Sequence, residues 1–247
     1  MAHRQRIDRL LVERGLFESR AKAQAAIAAG GVTANEIAVS KPSDEIDTDA
    51  VLRAEPAHPF VSRGGVKLTA ALDHFRFDPS FDPAGRVCLD VGASTGGFSE
   101  ALLARGARRV HAIDVGRGQL HPSLRARPEV VSLEGTDIRT LDPTQLAERP
   151  DFVVVDVSFI SLKLVLPPAL ALVQTPAALL ALVKPQFEAG RRAAKRGIVR
   201  DPQIHAAVCD GIAASVASLG WRVAGTLPSP ISGGDGNREF FIGARHD

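Results

Sequence analysis

The chain has 247 residues, of which 45% are hydrophobic and 23% are charged, values that are ordinary for a soluble globular protein. This length predicts one large domain, or a large domain with a small companion. The net charge of +2 is too small to imply a nucleic-acid partner by itself.

The cysteines and histidines suggest neither a disulfide nor a metal centre. Cys88 and Cys209 lie in apolar patterns typical of a strand and a helix, which predicts buried thiols in a reducing cytoplasm. The seven histidines show no metal-ligand spacing, so we expect no metal site. The first residues, MAHRQRIDRLL, contain no apolar signal segment, and we therefore expect a cytoplasmic protein.

The pattern of the first 54 residues or so predicts a small α+β unit. The pattern RIDRLLVERGL predicts one helix, and SRAKAQAAIAAG predicts a second that is capped by Ser19 and ended by Gly30 and Gly31. The pieces VTANEIAVS and AVLRAEP predict short strands, and the connector EPAHPF then leads into SRGGVKL and a further helix. We expect a first domain over 1–60, a linker and helix over 61–83, and a second domain over 84–247.

The second region alternates strand-like and helical segments. Its strand-like runs are RVCLDVG, RVHAIDVG, VVSLEGTD, DFVVVDVS, ALLALVKP, WRVAGTLPSP and REFFIGA. Such alternation predicts an α/β fold with a mostly parallel sheet covered on both faces. The apolar stretch over 165–183 is nearly as long as a membrane span, but its prolines and its central Gln-Thr pair favour a helix followed by a buried strand.

Acidic residues stand at or just beyond the ends of the first four of these strands. Asp90, Asp114, Asp137 and Asp156 lie 24, 23 and 19 residues apart, about one strand–helix unit each. Because ligands of open α/β sheets bind at the carboxyl ends of the strands, the four acids predict a binding site at that edge.

The stretch DVGASTGGFS resembles a phosphate-binding loop without its lysine, since Phe98 stands where that residue would be. Asp90 before the turn would repel a pyrophosphate and favour an ammonium or sulfonium group, while Asp114 could accept from ribose hydroxyls and Asp137 from an adenine amino group. Together these features predict S-adenosylmethionine as the cofactor; a glycine turn with no ligand is the alternative. The candidate cofactor-binding residues are Asp90, Gly92, Ala93, Ser94, Gly96, Gly97, Phe98, Asp114 and Asp137.

The segment after the fourth strand, DVSFISL, bears on which group is methylated. It lacks the Asn/Asp-Pro-Pro-aromatic turn common in amine methylation, and neither cysteine stands at a strand end where it could attack a pyrimidine. A hydroxyl acceptor needs a base instead, and a neutral lysine could serve. Lys67 in SRGGVKL and Lys184 in LVKPQFE are the candidates, with Asp156 and Glu239 as nearby carboxylates.

Six motifs, SRGGVKL, DVGASTGGFSE, DVSFISL, LVKPQFEAG, GIVRD and GNREFF, closely resemble the TlyA (hemolysin A) family of ribosomal RNA 2′-O-methyltransferases over nearly the whole chain. The resemblance implies a Rossmann-like S-adenosylmethionine-dependent methyltransferase fold. It also implies methylation of cytidine ribose in assembled ribosomal subunits, with no required metal. The Lys-Asp-Lys-Glu tetrad of the related FtsJ-like enzymes falls on Lys67, Asp156, Lys184 and Glu239.

The N-terminal region resembles an S4 RNA-binding domain through Arg6-Ile7-Asp8 and the later Ser19-Arg20-Ala21-Lys22-Ala23. One departure is Ala34-Asn35-Glu36, where the pattern usually has Val-Asn-Gly. Residues 1–22 carry six basic against three acidic side chains, which fits contact with an RNA backbone. The candidate RNA-binding residues are Arg4, Arg6, Arg20, Lys22, Arg191, Arg192, Lys195 and Arg196.

The expected partner is ribosomal RNA, bound by a monomer, with no membrane or DNA partner. Two other functions remain open at this point. One is a membrane-active hemolysin, as the older family name suggests, and the other is an RNA-binding ribosome assembly factor without catalytic activity. A solvated helical hairpin and a solvated basic loop remain the alternatives to the two RNA-binding assignments.

Overall fold

A computed structural model describes residues 3–190, 193 and 197–247. The chain divides into two compact units, Met1–Pro59 and Phe60–Asp247. Each unit has its own hydrophobic core.

The first unit packs two helices against short strands. Its elements are β1 (Arg4–Arg6), α1 (Ile7–Glu13), α2 (Arg20–Ala28), β2 (Val32–Ala34), β3 (Ile37–Ala38), β4 (Glu45–Asp47) and β5 (Leu52–Ala54). Strands β1 and β4 pair antiparallel, and β3-β2-β5 form a second antiparallel sheet. The predicted helices and their Ser19 cap are confirmed, because the Ser19 hydroxyl accepts from the backbone N–H of Lys22.

The second unit is built on a seven-stranded sheet. Its strands are β6 (Val87–Val91), β7 (Arg109–Asp114), β8 (Val130–Glu134), β9 (Phe152–Val155), β10 (Ala177–Val183), β11 (Arg222–Pro228) and β12 (Phe240–His246). Its helices are α3 (Arg63–Phe75), α4 (Gly97–Ala104), α5 (Pro122–Arg125), α6 (Leu162–Ala171), α7 (Pro185–Glu188) and α8 (Pro202–Ser218). All seven predicted strands are therefore present, and α3, expected in a linker segment, belongs to this unit.

The sheet has the order β11-β12-β10-β9-β6-β7-β8. Strands β8, β7, β6, β9 and β10 are parallel to one another, while β12 runs antiparallel between β10 and β11. The carboxyl ends of the parallel strands therefore meet at one edge, and the start of β12 lies beside the end of β10. The predicted mostly parallel α/β sheet is confirmed.

Alternate residues of the central strands face two separate cores, as the pleat of a strand requires. Leu89 and Val153 face the layer that contains α6 and α8. Cys88 and Val154 face the opposite layer, which contains α3 and α4. Because both faces are covered, these strands are buried along their whole length and almost entirely apolar, with Asp90 of β6 as the exception.

The apolar stretch over 165–183 forms the end of α6 and the whole of β10, as predicted. In the described part of the chain, no helix is both long enough and apolar enough to span a membrane.

Candidate active site

The glycine turn between β6 and α4 depends on Gly92. Its φ of 84° lies in the left-handed region, which glycine adopts without steric cost. A Cβ at this position would also overlap the carbonyl oxygen of Asp156. Gly92 therefore lets β6 end in direct contact with the segment that follows β9.

Gly96 and Gly97 of the same turn allow neighbouring segments to pack closely. Gly96 is the N-cap of α4 at φ 100°, and a Cβ there would overlap Leu124. A Cβ on Gly97 would overlap the hydroxyl of Ser62, the N-cap of α3. The turn thus brings the start of α3 against the start of α4.

A cleft of about 800 Å³ opens beside this turn at the carboxyl edge of the sheet. Among the predicted cofactor-binding residues, Gly92, Ser94, Asp114 and Asp137 line it. Asp90, Ala93, Gly96, Gly97 and Phe98 do not line the cleft, and all five are buried.

Asp114, the last residue of β7, is fixed by two backbone hydrogen bonds. The N–H of Ser94 donates to Oδ2 and the N–H of Gly116 donates to Oδ1, each at 2.7 Å. Each carboxylate oxygen can still accept another hydrogen bond. Next to it, Val115 is 72% exposed and adds apolar surface to the cleft. Asp114 and Val115 together can hold a ribose diol next to a flat ring.

Asp137 lies three residues beyond the end of β8. Its carboxylate accepts from the backbone N–H of Arg139 at 2.9 Å and from the guanidinium of the same residue at 2.6 Å. These hydrogen bonds hold the pKa of Asp137 below its ordinary value. The carboxylate is therefore ionised at neutral pH and can accept a further hydrogen bond in the cleft.

Asp90 is fully buried beneath the glycine turn. Its Oδ2 accepts from the hydroxyl of Ser99 in α4 at 2.6 Å, and its Oδ1 has no hydrogen-bond partner among the described residues. Burial raises the pKa of the Asp90 carboxyl to about 7, and the nearby charge of Asp156 adds to the effect. Asp90 points into the layer of α3 and α4, whereas the other three acids line the cleft.

The two predicted lysines each meet a predicted carboxylate. Lys67 in α3 donates a hydrogen bond to Oε2 of Glu239 at 2.5 Å, and both side chains are almost completely buried. Lys184 follows β10, and its Nζ lies 2.6 Å from Oδ1 of Asp156, which follows β9. Topology explains the grouping, since β9 and β10 are parallel neighbours and Val183 pairs with Phe240.

A second cavity of about 460 Å³ lies against these pairs. Lys67, Lys184 and Glu239 line it, whereas Asp156 lines the first cleft. We call the first cavity the cofactor cleft and the second the acceptor pocket. Ser158 and Phe159 line both.

Sequence reasoning missed three residues within the quoted motifs. Ser158 accepts a hydrogen bond from Lys184, and Phe159 is 91% exposed with a left-handed φ of 66°. Its ring lies 5.1 Å from that of Phe187 in the acceptor pocket. A bulky residue at positive φ is an outlier that often marks a functional site. The third, Asn237 of GNREFF, lies in the loop before Glu239.

Asn237 is fully buried and ties two loops together. Its amide donates to the carbonyl of Gly197 at 2.9 Å and to Asp235, and its Oδ1 accepts from the N–H of Val199 at 2.9 Å. Gly197 and Asp235 both line the acceptor pocket. The role of this buried side chain could not be recognised from the sequence, because two of its partners, Gly197 and Val199, lie about 40 residues away.

In the first unit, the basic residues predicted to bind RNA pair with carboxylates. Arg6 and Arg20 both donate to the buried carboxylate of Asp8 and hold its pKa well below the usual range. Their side chains remain 39% and 48% exposed, so both keep surface available for a ligand. Arg4 pairs with Asp47 and Lys22 with Glu18. The remaining four, Arg191, Arg192, Lys195 and Arg196, lie outside the described residues.

The sheet order and the cleft beside the glycine turn are those of the α/β methyltransferase fold. The same fold occurs in magnesium protoporphyrin IX methyltransferase from Synechocystis PCC 6803, with a TM-score of 0.52 at 14% identity over 76% of this chain and 85% of that one. The chain belongs to the FtsJ-like methyltransferase family, whose model matches residues 60–246, and an S4 domain model matches residues 5–52.

Two more similar proteins cover almost the whole chain. The 16S/23S rRNA (cytidine-2'-O)-methyltransferase TlyA of Mycobacterium tuberculosis (strain ATCC 25618 / H37Rv) is 45% identical over 99% of this chain and 91% of its own. A protein of known structure from Streptococcus thermophilus, named as a hemolysin, has a TM-score of 0.77 at 38% identity. That match covers all of this chain and 90% of the other. The predicted family is therefore confirmed.

Proposed function

We propose that this protein transfers a methyl group from S-adenosylmethionine to the 2′-hydroxyl of a cytidine in ribosomal RNA. The observation that carries the proposal is the pair of lysine–carboxylate contacts, Lys67 with Glu239 and Lys184 with Asp156, between the cofactor cleft and the acceptor pocket. The printed activity of the M. tuberculosis relative supports this substrate. We further propose that the protein acts in the cytoplasm, as a monomer, on assembled ribosomal subunits.

The cofactor cleft suits S-adenosylmethionine because its donors and acceptors match the parts of that molecule. Asp114 would accept from the ribose hydroxyls, and Asp137 would accept from the adenine amino group. Gly92 lets the ligand approach the backbone, since a side chain there would fill the space against Asp156. When bound, the cofactor supplies a methyl group whose bonding electrons stay on the departing sulfur.

Lys184 is the proposed general base. The acceptor O–H bond breaks as its electron pair forms the new bond to carbon, and Nζ of Lys184 takes the proton. Asp156, 2.6 Å away, stabilises the ammonium that results. Lys67 is less suited to this step, because its amine is already hydrogen-bonded to the buried Glu239 carboxylate at 2.5 Å. Lys67 would instead place positive charge beside the reacting oxygen.

The acceptor nucleotide would be held by stacking and charge. Phe159 and Phe187 offer adjacent rings at the acceptor pocket, and base–aromatic stacking contributes about 1–3 kcal/mol per base. We propose that Arg4, Arg6, Arg20 and Lys22 of the S4 domain contact the RNA backbone, and that the basic residues over 191–196 do the same near the second unit.

The proposal is tested by incubating the purified protein with ribosomal subunits and labelled S-adenosylmethionine, and by mapping the label with mass spectrometry. We expect one or more ribose-methylated cytidines. Label on a base would overturn the proposed chemistry.

The role of Lys184 is tested with Lys184→Ala and Lys184→Arg. General-base catalysis contributes about 10²–10⁴ in rate, so the alanine variant should lose that factor while it still binds cofactor and RNA. The arginine variant should be nearly as inactive because a guanidinium stays protonated. An arginine variant with more than about a tenth of the wild-type rate would limit Lys184 to holding the RNA.

A further inference from the structure

We propose that Ser158 is a positioning residue for the transfer step, because its hydroxyl fixes the direction of the Lys184 amine. This inference rests on the function proposed above. Ser158 lies two residues beyond Asp156 and lines both the cofactor cleft and the acceptor pocket. Its Oγ accepts a hydrogen bond from Nζ of Lys184 at 2.9 Å.

The two partners of the Lys184 amine hold it in different ways. Oδ1 of Asp156 lies 2.6 Å from Nζ as an ion pair, without the geometry of a hydrogen bond. Such an attraction sets the distance between the charges but restricts rotation about the Cε–Nζ bond less than a hydrogen bond does. A hydrogen bond is directional and restricts that rotation. In the described part of the chain, Ser158 is the hydrogen-bond acceptor of this amine.

This orientation matters because Lys184 must be neutral to act as a base. A neutral amine has two N–H bonds and one lone pair. With one N–H hydrogen-bonded to Ser158 and the other N–H attracted to the side of the Asp156 charge, the lone pair is left for the hydroxyl of the acceptor. Without Ser158, the amine can rotate its lone pair away from the acceptor.

A comparison with the Lys67–Glu239 pair shows why the Ser158 hydroxyl does more than line the pocket. Lys67 is oriented by a hydrogen bond directly to a carboxylate, Glu239, at 2.5 Å, and needs no hydroxyl. Lys184 has a carboxylate partner as well, but donates its hydrogen bond to Ser158. A neutral acceptor orients the amine without holding the proton on it as strongly as a hydrogen-bonded carboxylate would.

Three substitutions test the role: Ser158→Ala, Ser158→Cys and Ser158→Thr. Alanine removes the acceptor, cysteine keeps the approximate size but is a weak acceptor, and threonine keeps the hydroxyl. Ser158 is exposed, so the added methyl group has room and none of the three should unfold the chain. The matched control is Ser229→Ala, which removes a hydroxyl bonded to the carbonyl of Ile231 at 2.8 Å and lines neither cavity.

The experiment measures kcat and KM for methylation of ribosomal subunits, with thermal melting of each variant. Misplacement of a reacting group by about 1 Å can cost about 10²-fold, so we expect kcat of the alanine and cysteine variants to fall by about 10- to 100-fold. KM for the cofactor should stay close to the wild-type value. The threonine variant and the Ser229→Ala control should retain most of the wild-type kcat.

An alanine variant with wild-type kcat would overturn the inference. A threonine variant as slow as alanine would also overturn it, because loss of the native surface and not of the hydroxyl would then be the cause. If the wild-type protein places no label on ribose, the proposed function fails before any variant is compared.

Discussion

At the scale of single residues, the candidate site contains charged side chains that are buried. Lys67 and Glu239 are 8% and 3% exposed and compensate each other. Such a pair contributes little net stability compared with well-packed apolar residues, but removing one partner leaves an uncompensated buried charge. The cost of breaking the pair and its proposed catalytic contribution must therefore be measured separately.

We predict that Glu239→Ala lowers the free energy of unfolding by about 3–5 kcal/mol. The double variant Lys67→Met with Glu239→Leu should recover most of that loss and remain inactive. Urea unfolding followed by Trp221 fluorescence measures both, because Trp221 is the single tryptophan and is buried in the second unit. A Glu239→Ala variant as stable as wild type would show that Lys67 finds another partner.

Asp90 gives a prediction about pH. Burial raises its folded pKa to about 7, whereas a carboxyl of an unfolded chain has a value of about 3.9. Between these values the folded protein holds a proton that the unfolded chain releases, so this residue makes stability fall as pH rises. Above a pH of about 7 its contribution levels off.

The measurement is the free energy of unfolding of wild type and Asp90→Asn from pH 4 to 8. The stability of wild type relative to Asp90→Asn should fall across this window and flatten above about pH 7. A difference that does not change with pH would mean that the Asp90 carboxyl is ionised throughout.

At the scale of elements, the hairpin of β2 and β3 shows how a short turn tolerates an unusual residue. Asn35 and Glu36 have φ values of 49° and 67°, so both lie in the left-handed region that a two-residue hairpin loop needs. Asn35 is suited to this, and its side chain accepts from the N–H of Val51. The turn therefore keeps its two-residue geometry although position 36 is Glu where the S4 pattern usually has Gly.

We predict that Glu36→Gly stabilises the first unit by about 1 kcal/mol, since left-handed backbone costs a non-glycine residue roughly 1–2 kcal/mol. Glu36→Ala is the matched control, because it also loses the exposed contact with Arg53 but stays strained. Amide hydrogen exchange at Val39, which pairs with Val32 next to the turn, measures the effect in the full chain. Equal protection in both variants would contradict the strain argument.

At the scale of the whole molecule, the chain consists of two compact units, each with its own buried hydrophobic residues. The first unit contains the S4 domain, and the second contains the entire sheet, the cofactor cleft and the acceptor pocket. The basic side chains of the first unit include Arg6 and Arg20, which anchor Asp8 and still face solvent. The proposed binding of RNA and the proposed transfer of the methyl group can therefore be separated experimentally.

We predict that a chain of residues 60–247 folds and binds S-adenosylmethionine but no longer methylates ribosomal subunits. The second unit keeps its own core and all four tetrad residues, whereas the proposed RNA contacts of the first unit are lost. Calorimetry with the cofactor and the labelling assay with subunits give the two readouts. Methylation at the full-length rate would exclude a docking role for the first unit.

The sequence by itself determined the elements, because their signals are local. The apolar runs of β6 to β12 predicted every strand of the large sheet, and their alternation with helices predicted the parallel arrangement. The left-handed backbone at Gly92 follows from a residue type that can adopt it at no steric cost. The sequence motifs were sufficient to identify the family.

Only the tertiary structure decided which side chains reach the cleft. Asp90 and Cys88 share one face of β6, so Asp90 points toward Ser99 of α4 and not to the ligand edge. Position 97 must be glycine because Ser62, 35 positions earlier, packs against it. Lys184 donates its hydrogen bond to Ser158, 26 positions earlier. A pattern of residue types gives the spacing along one segment, whereas the direction of a side chain depends on the segments that fold against it.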